Sequence, residues 1–169
     1  MLDSNEQTLT LWNTKAMQAT NLEDIDRPDF VVLDKDEQVI LVAEVKGFPF
    51  DLNRNKTKEN AILQLIDYLQ AVKSLIPFAM FVDLENILIF RWNGKNLSNP
   101  IISLNTTDVL SHYEPKFSSR QIFNLYLTTL TEAWISDFCY RWKSEIPPAS
   151  QEMAEIGLLQ RLEGGITQS

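Results

Sequence analysis

The sequence contains one cysteine, Cys139, and one histidine, His112. A single cysteine excludes an intrachain disulfide, and without a Cys/His cluster a zinc site is disfavoured. The glycine-rich loop that cradles nucleotide phosphates and the G-x-S-x-G turn of many serine hydrolases are both missing, which disfavours those two chemistries. Low cysteine content is typical of a reducing compartment, and we expect a prokaryotic, cytoplasmic protein.

Long apolar runs are also missing. The most apolar stretch, residues 75–92, is interrupted by Asp83, Glu85 and Asn86, so it is too polar for a bilayer core of about 30 Å. Residues 1–12 lack the basic start and apolar stretch of a secretory signal. We therefore expect a soluble protein with no membrane partner.

Basic residues are outnumbered, with 15 Lys and Arg against 23 Asp and Glu, for a net charge of −8. This balance counts against a nucleic-acid binder, because such proteins gain affinity by neutralising phosphates. A metal site offsets part of the objection, since it requires clustered carboxylates. The 169 residues, 44% of them hydrophobic, predict a single domain over 1–169.

Hydrophobic periodicity and turn residues predict alternating helices and strands. The expected fold class is α/β or α+β, a mixed β-sheet flanked by helices, with a core over about 1–105 and a C-terminal helical extension over about 106–165. The predicted strands cover residues 30–33, 38–46, 78–82, 87–92 and 101–104. The predicted helices cover residues 5–20, 58–75 with Thr57 as N-cap, 107–113, 118 or 119 to 143, and 150–162.

The strand over residues 38–46 carries the first chemical signal. Side chains alternate between the two faces of a strand, so Ile40, Val42, Glu44 and Lys46 are predicted to share one face. The strand is apolar until its end, where a carboxylate and an amine emerge and require compensation by an ion pair or a metal. Asp29 opens the partner strand of the predicted hairpin, so two carboxylates could bind Mg²⁺.

These residues resemble the signature of the PD-(D/E)xK nuclease superfamily: Pro28-Asp29, then Glu44-Val45-Lys46 fifteen residues later, then Gln64 and Tyr68 on the following helix. The resemblance implies a restriction-endonuclease-like core. It implies that Asp29, Glu44 and the Val45 carbonyl bind Mg²⁺ or Mn²⁺, and that Lys46 assists the attacking water. Gln64 and Tyr68 would lie near the nucleic-acid strand. The family often has an acidic residue on the first helix, for which Glu6 and Glu23 are both open candidates.

Basic residues follow the strand at Arg54, Lys56 and Lys58. Such a run is commonly a solvated loop; beside a metal it could form a phosphate-facing lip. In the last long helix, Trp134, Tyr140 and Trp142 are expected in the core or at a dimer surface.

The sequence thus predicts a metal-dependent nuclease that hydrolyses DNA phosphodiester bonds. One alternative is a catalytically inactive nuclease-fold protein that serves as an interaction or regulatory module. Another is an unrelated α/β protein in which the motif is a coincidence. A protein partner or a homodimer could use the C-terminal helices.

Overall fold

Six strands and five helices make up the described part of the chain, which comprises residues 25–49 and 53–169 of this computed structural model. The helix predicted over 5–20, with both Glu6 and Glu23, lies outside the described residues. The strands are β1 Phe30–Leu33, β2 Val39–Lys46, β3 Phe78–Asp83, β4 Asn86–Arg91, β5 Ile102–Asn105 and β6 Ile166–Gln168. The helices are α1 Arg54–Ala71, α2 Thr106–Leu110, α3 Asn124–Tyr140, α4 Ser150–Glu155 and α5 Leu158–Leu162.

The strands form one mixed sheet in the order β5-β4-β3-β2-β1-β6. Strands β2 and β3 pair in parallel, joined by α1, and the other neighbours pair antiparallel. The predicted class, mixed α/β with one mixed sheet, is therefore confirmed. Each described helix is too short or too polar to cross a membrane.

The β1–β2 hairpin turns at Asp34, at the start of the polar run of residues 34–37, a composition that predicts a turn. Its carboxylate accepts hydrogen bonds from the main-chain N–H groups of Asp36 and Gln38, at 2.9 and 3.0 Å. This local bonding stabilises the turn.

A bulge in β2 changes the predicted face assignment. Val32 pairs with Leu41 but Leu33 pairs with Val39, so Ile40 is an extra residue without a partner on β1. Ile40 therefore packs in the same core cluster as Leu41, while Val39 packs on the other side of the sheet. The prediction that Ile40 shares a face with Val42 is wrong, because a bulge shifts the alternation by one position.

Helices cover both faces of the sheet. On one face, α1 places Leu65 and Leu69 against Val31 and Val42. On the other, α3 packs on β2 and β6, and three of its apolar side chains are fully buried in the core on that side: Leu127, Trp134 and Phe138. Tyr140 and Trp142 are 64% and 48% exposed, so only Trp134 of the three aromatic residues is core. A partner at this surface stays a prediction.

Helix α1 begins earlier than predicted. The Asn53 side chain accepts a hydrogen bond of 3.1 Å from the main-chain N–H of Lys56 and caps the helix, so Thr57 lies in the first turn and is not the cap. The helix ends at Ala71, four residues before the predicted end at Leu75.

The C-terminal elements also differ in their bounds. The third predicted helix is shorter, Thr106–Leu110. The fourth is split into a 3-10 turn at Phe117–Ser119 and helix α3. The last predicted helix is interrupted at Gly157, whose φ of +80° suits glycine. After Gly164 and Gly165 the chain forms β6, an unpredicted strand that pairs antiparallel with β1.

Candidate active site

Asp29 is fixed beside the end of β2 by two hydrogen bonds. Its main-chain N–H donates to the carbonyl oxygen of Ala43 at 2.9 Å. Its Oδ2 atom accepts a hydrogen bond of 2.6 Å from the main-chain N–H of Val45. The residue just before β1 is thereby held against the segment that carries Glu44 and Lys46.

Glu44 and Lys46 lie on the α1 side of the sheet, as Val42 does. The Lys46 Nζ atom is 3.5 Å from the Glu44 Oε2 atom. Glu44 is only 4% exposed, whereas the Lys46 side chain is one-third exposed. Asp29, Glu44 and Lys46 thus converge at one end of the sheet, as the sequence predicts.

Both carboxylates have a raised pKa, and burial is the largest cause for each. Burial raises the pKa of Glu44 to about 7, and repulsion from Asp29 contributes to that rise, while Lys46 opposes it. Burial also raises the pKa of Asp29, and the hydrogen bond from Val45 and the charge of Lys46 act in the opposite direction. A bound cation would stabilise the ionised form of both carboxylates, because its positive charge offsets their burial and the nearby negative charge.

A third carboxylate, Asp26, is part of this cluster and was missed in the sequence. The Gln64 Nε2 atom donates a hydrogen bond of 3.2 Å to the Asp26 Oδ2 atom. The charge of Asp26 is a further, smaller cause of the raised Glu44 pKa. The available signal was the acidic stretch just before Pro28-Asp29, but its contact with a helix 38 residues later is a tertiary one.

Tyr68 lies on α1 one turn after Gln64 but is covered by the sheet. It is 2% exposed and packs among the apolar side chains between α1 and the strands. Burial raises its pKa to about 12, and the nearby Arg27 opposes the rise. Its hydroxyl is therefore protonated at neutral pH, and its predicted contact with nucleic acid stays a prediction.

The three basic residues after β2, Arg54, Lys56 and Lys58, lie in different surroundings on the surface of α1. Arg54 forms an ion pair with Glu85 and, with Lys46, lines a small cleft. Lys56 is exposed. Lys58 instead lines a groove on the β4 side of the helix, beside Phe90. Of the three, only Arg54 lines a cleft together with Lys46.

A larger groove of about 460 Å³ opens beside Lys46, between α1 and the start of α3. Its lining includes the polar side chains of Thr57, Asn60, Gln64 and Asn124. Asn60 and Asn124 were not singled out in the sequence, because amide side chains give no pattern that distinguishes a groove from ordinary surface.

His112, the only histidine in the sequence, forms no catalytic triad with the residues that the structure describes. The His112 Nε2 atom is 2.7 Å from the Ser144 Oγ atom. The nearby Asp137 carboxylate, however, accepts from the Tyr113 hydroxyl and from the main-chain N–H groups of Lys143 and Ser144. This carboxylate therefore orders the loop after α3, and within residues 25–49 and 53–169 no acid is hydrogen-bonded to His112 as a triad requires.

Asp29 and Glu44 are oxygen donors of the type that a hard divalent cation uses. Mg²⁺ commonly binds one or two carboxylates and completes its coordination with water and other oxygens. Over residues 25–49 and 53–169, no group of three or more His, Cys, Asp or Glu side chains is placed to hold a metal ion. A cation here would accordingly depend on two carboxylates and non-side-chain oxygens.

Neither a protein-family model, nor a curated protein, nor a solved structure matches this chain significantly.

Proposed function

We propose that this chain is a metal-dependent nuclease of the PD-(D/E)xK type, with a restriction-endonuclease-like core, that hydrolyses DNA phosphodiester bonds. The observation that carries the proposal is the hydrogen bond from the Val45 N–H to Asp29, which brings the aspartate beside Glu44 and Lys46. The raised pKa of Glu44, about 7, supports it, because a divalent cation would offset both the burial and the repulsion from Asp29 that raise this pKa.

The proposed roles follow from exposure and charge. Asp29, Glu44 and the Val45 carbonyl would hold Mg²⁺ or Mn²⁺. Such an ion acidifies a bound water and neutralises phosphate charge. Lys46, whose side chain is one-third exposed and lines the groove, can orient a water molecule or a phosphate oxygen with its ammonium group. Its contact with Glu44 also keeps the carboxylate in place.

The acidic net charge of −8 does not prevent local phosphate binding. Lys46 lines both clefts, Arg54 lines the smaller one, and Lys56 is exposed on the first turn of α1. We propose that these groups bind the DNA backbone, with Gln64 and Tyr68 shaping the site and Lys58 contributing charge from the other side of the helix. Binding should weaken with salt, because phosphate contacts release counterions.

The second candidate function is an interaction or regulatory module that keeps the fold without cleaving DNA. The observation that favours it is the internal pairing of the polar groups. Lys46 pairs with Glu44, Gln64 with Asp26 and Arg54 with Glu85. In that case the residues would be a structural network and would need no metal.

Incubation of supercoiled plasmid and of linear single- and double-stranded DNA with the protein distinguishes the two. We expect cleavage with Mn²⁺ or Mg²⁺, none with EDTA, and none for Asp29→Asn. An exposed aspartate on α1, Asp67, provides the matched control, and Asp67→Asn should cleave like the wild type. A wild-type protein that binds neither metal nor DNA would favour the interaction module.

A further inference from the structure

The end of β2 is joined to the start of α3 by a set of short contacts. The main-chain N–H of Gly47 donates a hydrogen bond of 2.7 Å to the Asn124 Oδ1 atom. The main chain of Phe48 donates to Ile122 at 2.8 Å and accepts from the N–H of Asn124 at 3.1 Å. Asn124 is therefore positioned directly by the residue that follows Lys46.

This contact fixes which way the Asn124 amide points. Because a main-chain N–H requires an oxygen acceptor, Oδ1 must face Gly47 and the Nδ2 group must face away from it. Within the described part of the chain, Nδ2 has no hydrogen-bond partner. Asn124 is half-buried and lines the groove beside Lys46. The groove therefore contains an oriented amide NH₂ group that can donate hydrogen bonds to a ligand.

The main chains at Gly47 and Asn124 are too close together to shift relative to each other easily. A Cβ atom on Gly47 would lie 2.9 Å from the Asn124 N and Cα atoms and from the Ile122 carbonyl oxygen. The two main chains are therefore in close contact, and the amide is held by backbone rather than by flexible side chains. A donor oriented in advance loses little entropy on binding.

The lining of the groove suits a singly charged phosphodiester. Lys46 supplies a positive charge, and Thr57, Asn60 and Gln64 supply neutral polar groups. Among the described residues that line it, none is acidic, although the whole chain carries a net charge of −8. The described lining of the groove therefore adds no acidic side chain of its own to the net negative charge of the protein.

We propose that Asn124 binds a non-bridging oxygen of a DNA phosphodiester that neighbours the one at Asp29, Glu44 and Lys46. The groove between α1 and α3 then holds the DNA strand next to the cleaved bond. This inference rests on the proposed nuclease function and adds a binding residue on α3, 77 residues from Gly47.

Substitution of Asn124 by aspartate tests the inference. Asn124→Asp keeps the oxygen that accepts from Gly47, and a carboxylate in the first turn suits the helix dipole, so the fold should be retained. It replaces the donor by an anion that repels phosphate. Fluorescence anisotropy with labelled DNA in Ca²⁺ should give an affinity about 10- to 100-fold weaker than that of the wild type, the range expected for one hydrogen bond to a charged group.

Asn105 offers a matched control. Its exposed side chain also accepts a main-chain N–H, that of Asp108 at 3.0 Å, at the start of a helix. Asn105→Asp makes the same change in net charge without adding a carboxylate to the groove. We expect its DNA affinity to stay within about twofold of the wild type.

The outcomes separate the two proposals. If the wild type cleaves DNA and Asn124→Asp binds it as tightly as Asn105→Asp does, the Asn124 inference is wrong and the nuclease proposal stands. If the wild type neither binds nor cleaves DNA, both are wrong. Should Asn124→Asp fail to fold, NMR of wild-type protein labelled at asparagine decides: the Asn124 side-chain NH₂ signals must shift when DNA is added in Ca²⁺, and unchanged signals contradict the inference.

Discussion

The Asp29 carboxylate accepts a 2.6 Å hydrogen bond from the main-chain N–H of Val45, the residue between the site's glutamate and its lysine. One carboxylate oxygen is thereby used to hold β2 in place. The other oxygen, Oδ1, accepts no hydrogen bond from the described residues. The aspartate can therefore have a structural role through one atom and a ligand role through the other.

Asp29→Asn separates these two roles. The asparagine oxygen can still accept from the N–H of Val45, so we expect the thermal unfolding temperature of the metal-free protein to change little. The charge that attracts a cation is lost, so the heat of Mn²⁺ binding in isothermal titration calorimetry should fall below detection. Asp67→Asn should bind Mn²⁺ as the wild type does. Equal Mn²⁺ affinity in both variants would show that Asp29 is not a ligand.

Glu44 should make the metal-free protein less stable as the pH rises. Its pKa is raised from 4.5 to about 7 in the folded state, so the folded state favours the protonated form. The stability from this group is fully present below pH 4.5 and is lost as the pH rises through about 7. A shift of this size corresponds to roughly 3 kcal/mol in the free energy of unfolding.

Urea unfolding in EDTA at a series of pH values measures this loss as the difference between the wild type and Glu44→Gln. We expect that difference to change by roughly 3 kcal/mol between pH 4.5 and about pH 7. Saturating Mn²⁺ should restore the stability of the wild type at high pH. Glu59, an exposed glutamate on α1, supplies the control variant Glu59→Gln. Parallel pH profiles for all three proteins would contradict the raised pKa.

Lys46→Ala should reduce the rate of DNA cleavage and leave metal binding largely intact. A positioned acid–base group contributes about 10²–10⁴-fold to a rate, which sets the size of the loss. Lys46 lowers the pKa of Glu44, so its removal leaves Glu44 protonated up to a higher pH, and the proton then competes with the metal. Metal binding by the variant should therefore be measured at pH 8 and above. The exposed Lys73 gives the control Lys73→Ala, and Gln64→Ala should have a smaller effect than Lys46→Ala. Unfolding of Lys46→Ala, together with an inactive wild type, would make the lysine structural.

Gly47→Ala should destabilise the fold and weaken DNA binding together. The added methyl group meets main-chain atoms of Asn124 and Ile122 at 2.9 Å, and such overpacking costs about 1–3 kcal/mol. Gly157→Ala is the comparison, because its site has a φ of +80° but open space around it, so it should cost about 1 kcal/mol and leave DNA affinity unchanged. Urea unfolding and anisotropy measure the two effects.

The hairpin and the shared face of Glu44 and Lys46 could be predicted because they depend on neighbours in the sequence. Alternation over the last half of β2 and a polar turn were sufficient. The bulge at Ile40 could not, because Val39 and Ile40 are both apolar and either could face either side. The bulge arises from the pairing of β2 with β1, and the hydrophobic periodicity of β2 alone does not predict that pairing.

The start of α1 was misplaced for a similar reason. Residues 53–58 are all polar, so hydrophobic periodicity becomes readable only further along the helix. Asn53 is a favoured N-cap type, but this signal competed with Thr57. The contacts of Asp26 with Gln64 and of Gly47 with Asn124 join distant segments, and a single sequence contains no pattern for such pairs.

Strand β6 pairs with the outer side of β1 and so makes β1 an internal strand. Without it, β1 would offer a row of unpaired amide and carbonyl groups, which is a template for the joining of two copies edge to edge. With it, the outer edge at this end of the sheet is only three residues long. We therefore expect a variant that lacks residues 166–168 to self-associate, and the extent of self-association to increase with protein concentration.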